Sequence, residues 1–216
     1  MVITIWGARG SIPVSGKDYI KYGGDTTCIE LRTGNDEIII IDAGSGIRRL
    51  GNKTLKEGRK EFYHIFTHFH WDHIVGFPFF KPLFYKSSRI SICGCSKNKL
   101  TLEETLSNTV TDPYFPVEYR DIPASLSFTN ICSEPFKLGS MNVETISLSH
   151  PNGGLGLKFI ENGKTFVFLT DNELGYIHPG GMKFDDYVNF CRDADFLIHD
   201  AEFTQEEYKK TKQWGH

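Results

Sequence analysis

Thr67-His68-Phe69-His70-Trp71-Asp72-His73 puts four side chains that can bind a metal ion within six residues, directly after the run Glu61 to Phe66. That run reads as a short strand, so the imidazoles begin where a strand ends and a loop or helix N-terminus starts. In extended backbone alternate side chains face the same way, which places His68 and His70 on one side. Asp72 and His73 follow as the chain turns, and can serve a second centre beside the first. Imidazole and carboxylate without thiolate suit a zinc-like or manganese-like ion that keeps open positions for water. A lone histidine is more often a core or surface residue than a ligand. Two on one side plus an adjacent Asp-His pair argue for a metal site.

The run His68-Phe69-His70-Trp71-Asp72-His73 resembles the HxHxDH signature of the metallo-β-lactamase fold superfamily. The resemblance implies an α/β protein built as a four-layer αββα sandwich, with one or two divalent metal ions at the sandwich edge.

The length of 216 residues fits one domain with a substantial core, so residues 1–216 are expected to form a single metallo-β-lactamase-like domain. With 39% hydrophobic and 24% charged residues the composition is that of an ordinary soluble globular protein. The formal charge of -3 gives no electrostatic case for a nucleic-acid surface, and polymeric nucleic acid is not favoured as a partner. The N-terminus Met1-Val2-Ile3-Thr4-Ile5-Trp6 lacks the basic-then-apolar pattern of a secretory leader, and no window is long enough to span a membrane. No membrane partner and a cytoplasmic location are the default. Of the five cysteines, Cys93-Gly94-Cys95 has one spacer where zinc ribbons and redox motifs have two. Cys28, Cys132 and Cys191 are expected to be reduced structural thiols.

Val2 to Trp6 reads as a first strand, closed by the turn residues Gly7-Ala8-Arg9-Gly10-Ser11-Ile12-Pro13. The glycine-rich segment through Tyr22-Gly23-Gly24-Asp25 has no Walker spacing and serves equally well as a turn or a substrate loop. Thr26 to Arg32 and Glu37 to Ile41 read as strands joined at Thr33-Gly34-Asn35-Asp36, the second buried on both faces. It leads into Asp42-Ala43-Gly44-Ser45-Gly46 and a helix through Leu50. Asp42 can cap that helix; by resemblance it supports the metal-binding loop from behind the ligands, which is the favoured reading.

Beyond the histidine cluster, the aromatic stretch from Ile74 to Tyr85 is expected to be mostly core. Arg89 to Cys93 reads as a strand, and Leu100 to Val110 as a helix that ends before Asp112-Pro113. Pro113 to Val117 is expected as an exposed aromatic loop. Phe136 to Leu138 and Asn142 to Leu148 read as strands, as do Gly156 to Ile160 and Lys164 to Leu169, the latter two joined at Asn162-Gly163. Asp185 to Arg192 reads as an amphipathic helix with Tyr187, Val188 and Cys191 on its apolar side, and Ala194 to Ile198 as a last strand. His64 and His178 are expected to be structural.

Two of these strands deliver further candidates: His150 at Ser149-His150-Pro151 and Asp171 at Thr170-Asp171-Asn172-Glu173. By resemblance His150 completes the first ion's set with His68 and His70. Asp171 matches the aspartate that bridges both ions, a role that needs a two-oxygen anion between cations. His199-Asp200-Ala201-Glu202 resembles the His-Glu-Ala-Thr element of tRNase Z-like phosphodiesterases, with Asp200 in the place of their glutamate. Trp214-Gly215-His216 resembles the segment that holds their catalytic histidine. These relatives generally continue further and supply one more histidine to the second ion. The sequence given ends at His216, so the expectation is open between a naturally short chain, a fragment lacking the family's last C-terminal segment, and a second site completed by another subunit or by His216 itself.

The expected cofactors are therefore two divalent metal ions, zinc or manganese, held by His68, His70, Asp72, His73, His150 and Asp171. The catalytic candidates are Asp72, Asp200 and His216. Two cations sharing a hydroxide generate a nucleophile at neutral pH, and an Asp200–His216 pair suits protonation of an alkoxide leaving group. Asp171 stands where many true β-lactamases have a cysteine. The expectation is a metal-dependent phosphodiesterase acting on a small cyclic nucleotide or cyclic phosphate, in the branch that holds tRNase Z and cyclic-phosphate diesterases, with homodimerisation by similarity. The alternatives are a lactone, ester or thioester hydrolase, a tRNA 3′-processing endonuclease, and a catalytically silent metal-binding module.

Overall fold

The computed structural model describes residues 1–96, 100–132 and 134–216, and divides into two compact units, Met1–Asn130 and Ile131–His216. Each unit holds one β-sheet, so the chain is mixed α/β with two sheets.

The first unit carries β1 (Val2–Gly7), β2 (Cys28–Arg32), β3 (Ile38–Ile41), β4 (Glu61–Phe66), β5 (Arg89–Gly94) and β6 (Ser125–Asn130), in that spatial order. The β1–β2 and β2–β3 pairs are antiparallel, and β3 through β6 run parallel. All four isoleucines of β3 are buried, as its unbroken apolar run predicts for a strand covered on both faces. Each such side chain removed from water contributes about 1.5–3 kcal/mol.

The crossover from β3 to β4 is α1 (Ile47–Lys56), which buries Ile47, Leu50, Gly51 and Thr54, one stripe at helical spacing. Its N-cap is Gly46 with no side-chain hydrogen bond, so Asp42 does not cap it. The buried carboxylate of Glu30 accepts from Trp6 Nε1 at 2.9 Å and Arg32 Nε at 2.6 Å, and lies 3.4 Å from Lys53 Nζ on α1. Burial alone would raise its pKa; the bonds from Arg32 and Trp6 hold it below the usual carboxylate value.

A four-residue helix, α2 (Trp71–Ile74), follows β4, and α3 (Leu102–Ser107) lies between β5 and β6. α3 is shorter than the apolar spacing suggests, but Leu102, Leu106 and Val110 are all buried, whereas Leu100 is exposed. The loop after it is only partly exposed: Tyr114 faces solvent, while Phe115 packs against the core and lies 5.6 Å from Phe79 between ring centroids.

The second unit carries β7 (Phe136–Leu138), β8 (Met141–Ser147), β9 (Leu155–Glu161), β10 (Lys164–Leu169) and β11 (Phe196–His199), in the order β11-β10-β9-β8-β7. Asn162 and Gly163 both have positive φ, 50° and 72°, as a two-residue hairpin turn requires. α4 (Phe184–Phe190) packs Tyr187 against Leu148, Val167 and Leu169, with the Tyr187 hydroxyl donating to the Ser147 carbonyl at 2.9 Å. Val188, expected on the apolar face, is exposed. α5 (Gln205–Thr211) opens with a capping box from Thr204 and Glu207.

Cys28 and Cys93 are buried free thiols and Cys191 is a half-buried one. Cys132 is disulfide-bonded, as is Cys95, which corrects the expectation of a reduced thiol at Cys132. Among the described residues no helix is long and apolar enough to cross a membrane.

Candidate functional site

Each unit gathers its own constellation of candidate residues. In the first, Asp42 sits at the end of β3 with φ of 58°, a left-handed conformation that aspartate tolerates better than most residues. Its buried carboxylate takes three bonds at 2.8 Å: Oδ1 from the Thr67 amide, Oδ2 from the Thr67 hydroxyl, and Oδ2 with His73 Nδ1. Asp42 thus ties the loop after β4 to the end of β3, a link between parallel neighbours that their strand register brings together.

These bonds settle which ring nitrogens carry protons. The Thr67 hydroxyl spends its proton on Asp42, so its contact of 3.1 Å with His68 Nδ1 is one in which the imidazole donates. His73 Nδ1 likewise donates to Asp42. In both rings Nδ1 is thereby held by an oxygen, the outer contact that orients a metal-ligating imidazole. The His68 ring lies 4.6 Å from that of His70 and 4.1 Å from that of His73, centroid to centroid, and His73 Nε2 lies 3.5 Å from Asp72 Oδ2. Asp72 Oδ2 also accepts from the Ser11 amide at 2.9 Å, so the turn after β1 reaches the cluster.

Backbone contacts hold this loop in place. The Ala43 amide donates to the His73 carbonyl at 2.7 Å, and the Gly76 amide to the Ala43 carbonyl at 2.8 Å. A Cβ on Gly76 would stand 2.1 Å from the Gly44 carbonyl oxygen, so only glycine permits this approach.

In the second unit, Asp171 ends β10 as Asp42 ends β3, again with positive φ, here 47°. Its Oδ2 is 3.6 Å from His150 Nε2 and 4.0 Å from His216 Nε2. His150 Nδ1 donates to the Gly215 carbonyl at 3.0 Å. His216 Nδ1 is 2.8 Å from Asp200 Oδ2, an oxygen that also accepts from the Asn172 amide at 3.1 Å. Asp200 Oδ1 accepts from the Glu202 amide at 2.9 Å. Burial works against a charged His216, but the bond to Asp200 and the charge of Asp171 hold its pKa above the usual histidine value. A cavity of about 240 Å³ opens beside this pair, lined by Leu174, Phe203, Gln205 and Tyr208 among others.

The structure therefore groups His68, His70, Asp72, His73 and Asp42 in one unit, and His150, Asp171, Asp200 and His216 in the other. The donor set fits divalent metal: buried imidazoles with their Nδ1 atoms engaged, and carboxylates beside them. Sequence reasoning missed Thr67, which lies inside the quoted motif, and Ser11, which acts through its backbone. It also missed Glu173, whose buried carboxylate faces the C-terminal tail. Only its place two residues after Asp171 could have drawn attention to it.

Residues 37–216 match the family described as the beta-lactamase superfamily domain. The chain belongs to that superfamily. A ribonuclease Z of Clostridium novyi (strain NT) is 34% identical over 119 residues, which covers 52% of this chain and 38% of that protein. Here the match spans little more than a third of the relative's length. Among solved structures, human tRNase Z, short form, superposes with a TM-score of 0.69 at 20% identity, covering 99% of this chain and 83% of that one. The metallo-beta-lactamase fold protein YhfI from Bacillus subtilis gives a TM-score of 0.69 at 16% identity, over 99% of this chain and 76% of that one. The metallo-β-lactamase fold expected from the motif is thus the fold of the chain.

Proposed function

We propose that the chain is a metal-dependent hydrolase of phosphodiesters, in which, as the family likeness implies, His68, His70, His150 and Asp171 would hold one divalent ion and Asp72, His73 and Asp171 a second. The observation that carries this reading is the orientation of three imidazoles: His68, His73 and His150 each engage Nδ1 with an oxygen, the arrangement by which a second partner orients a metal-ligating histidine. Two such ions, zinc or manganese, would supply Lewis acidity at the phosphoryl oxygens and bring the ionisation of a water into the neutral range.

The chain's own residues supply the rest. Asp42 and Thr67 fix the rings of His73 and His68. Asp72, anchored by the Ser11 amide, orients the attacking water. His216 gives the proton on Nε2 to the departing alkoxide, while Asp200 holds Nδ1–H and stabilises the imidazolium form. A carboxylate–imidazole pair of this kind suits protonation of a poor alkoxide leaving group such as that of an unactivated phosphodiester.

The name of the relative, ribonuclease Z, supports an RNA phosphodiester as substrate and reverses the order in which net charge ranked polymeric RNA and small cyclic phosphates. A small cyclic nucleotide or cyclic phosphate is the second reading, favoured by the formal charge of -3. Cytoplasmic residence as the default and a homodimer by family likeness complete the reading, and light scattering checks the latter. The deciding experiment loads the chain with zinc or manganese and offers precursor tRNA, 2′,3′-cyclic AMP, 3′,5′-cyclic AMP and a γ-lactone. Cleavage of either phosphodiester class, lost in His68→Ala, is expected. Turnover of the lactone alone, or stoichiometric metal with no turnover, would overturn the proposal.

A further inference from the structure

Glu173 follows Asp171 by two residues, is 1% exposed, and accepts four hydrogen bonds. Oε1 takes the Tyr208 hydroxyl at 2.6 Å and the Gln213 amide at 2.8 Å; Oε2 takes the Gly215 amide at 2.9 Å and His178 Nε2 at 2.8 Å. All the acceptor capacity of one buried carboxylate is thus turned on two backbone amides of the tail, on α5 through Tyr208, and on the loop that bears His178. Glu173 is itself tethered, since its amide donates to the Ser149 carbonyl at 2.9 Å, next to His150.

Two imidazoles of this unit, those of His150 and His216, depend on that tail. Gly215 supplies the carbonyl that takes Nδ1–H of His150, and the next residue is His216. Nothing else among the described hydrogen bonds of Gln213 and Gly215 ties their amides to the body of the unit. Fixing the backbone at 213 and 215 is what makes residues 213–216 a rigid platform for an acid.

We propose that Glu173 is the positioning residue that seats residues 213–216 and thereby sets the geometry of both His216 against Asp200 and His150 against the Gly215 carbonyl. His178 and Tyr208 hold the carboxylate in turn, which gives His178 a purpose beyond packing. The proposal rests on the reading of His216 as proton donor to the leaving group.

Glu173→Gln keeps the shape but turns one acceptor oxygen into an NH₂ group, which must face either the Gly215 amide or the Gln213 amide, donor against donor. Two measurements on the full chain test the idea. The first is the ratio of kcat for a diester with an alkyl leaving group to kcat for bis-p-nitrophenyl phosphate, whose leaving group needs no proton. In Glu173→Gln the ratio is expected to fall about 10-fold or more, with KM nearly constant, as the acid is lost from its position. The second is independent of turnover: the Nδ1–H resonances of His150 and His216, seen by ¹⁵N-labelled imidazole NMR with and without added zinc, are expected to shift or exchange faster. Tyr208→Phe removes one of the four bonds and covers the case in which Glu173→Gln does not fold; it is expected to move both readouts in the same direction by a smaller amount. An unchanged ratio and unchanged resonances in a folded Glu173→Gln chain overturn the positioning role. If His216→Ala itself leaves the ratio unchanged, the reading of His216 as the acid fails instead, and the resonances alone decide about Glu173.

Discussion

His216 Nδ1 and Asp200 Oδ2 stand 2.8 Å apart, and the same oxygen takes the amide of Asn172, so the carboxylate is oriented before it orients the imidazole. In Asp200→Asn the amide can accept from Nδ1–H but contributes no charge to the imidazolium. Hydrolysis of diesters with alkyl leaving groups should fall about 100-fold. Hydrolysis of bis-p-nitrophenyl phosphate should fall much less, and steady-state kinetics on the two substrates compare them directly. Equal losses on both would remove Asp200 and His216 from leaving-group protonation.

Asp42 satisfies three donors that have no access to water. Asp42→Asn offers one oxygen to them and an NH₂ that confronts a donor. Zinc affinity, measured by competition with a chromophoric chelator, is expected to weaken about 10–100-fold while the far-ultraviolet circular dichroism is retained. Unaltered affinity would mean that Thr67 and His73 find their orientation without the carboxylate.

Gly215 has φ of +99°, and a Cβ there would lie 2.2 Å from His150 Nδ1 and 2.4 Å from Pro151 Cδ. Gly215→Ala must move either His150 or the tail. A loss of about 1–3 kcal/mol in urea unfolding is expected from the backbone strain alone, together with less than full metal stoichiometry by elemental analysis. A variant with wild-type stability and full metal would show that the tail yields without cost.

His64 is fully buried on β4, with its ring 4.3 Å from that of Phe66 and near Phe77 and Phe80. Burial pushes its pKa down from 6.5 to about 4, against the opposing pull of Asp42. The unfolded chain therefore binds a proton that the folded chain refuses between those values. Stability is undiminished above pH 6.5 and falls as the pH drops towards about 4. At pH 5 the loss is about 2 kcal/mol relative to neutral pH. His64→Leu should lack that part of the acid sensitivity, so the gap between wild type and variant in urea unfolding should move by this amount between pH 7 and pH 5. An identical pH dependence for the two would show that His64 is not held neutral.

Most strands announced themselves in the residue pattern, because burying a sheet face forces either alternation or a continuous apolar run. The all-isoleucine β3 and the Asn162-Gly163 hairpin are the clearest cases. β6 went unread although Leu126 and Phe128 alternate with polar residues, since its sides are only half-buried and its polar positions resemble a loop. α5 was also missed: it buries none of its residues, so no apolar stripe marks it, and only the capping box Thr204–Glu207 could have revealed its start. The turn Gly7 to Pro13 carries no sign in the sequence that its Ser11 amide meets Asp72, because the contact is made by backbone.

By itself the amino-acid order determined the family, the class of ion-binding side chains and the strand ends that carry them, because ligand type and spacing are local and strand periodicity is a local property too. Only the tertiary structure decided which nitrogen of each imidazole is protonated, why Asp42 does not cap α1, and how Glu173 fastens the tail. Those facts depend on hydrogen bonds between residues 25 to 65 positions apart, such as Asp42 with Thr67 and His150 with Gly215, and no pattern along the chain encodes a distance of that kind.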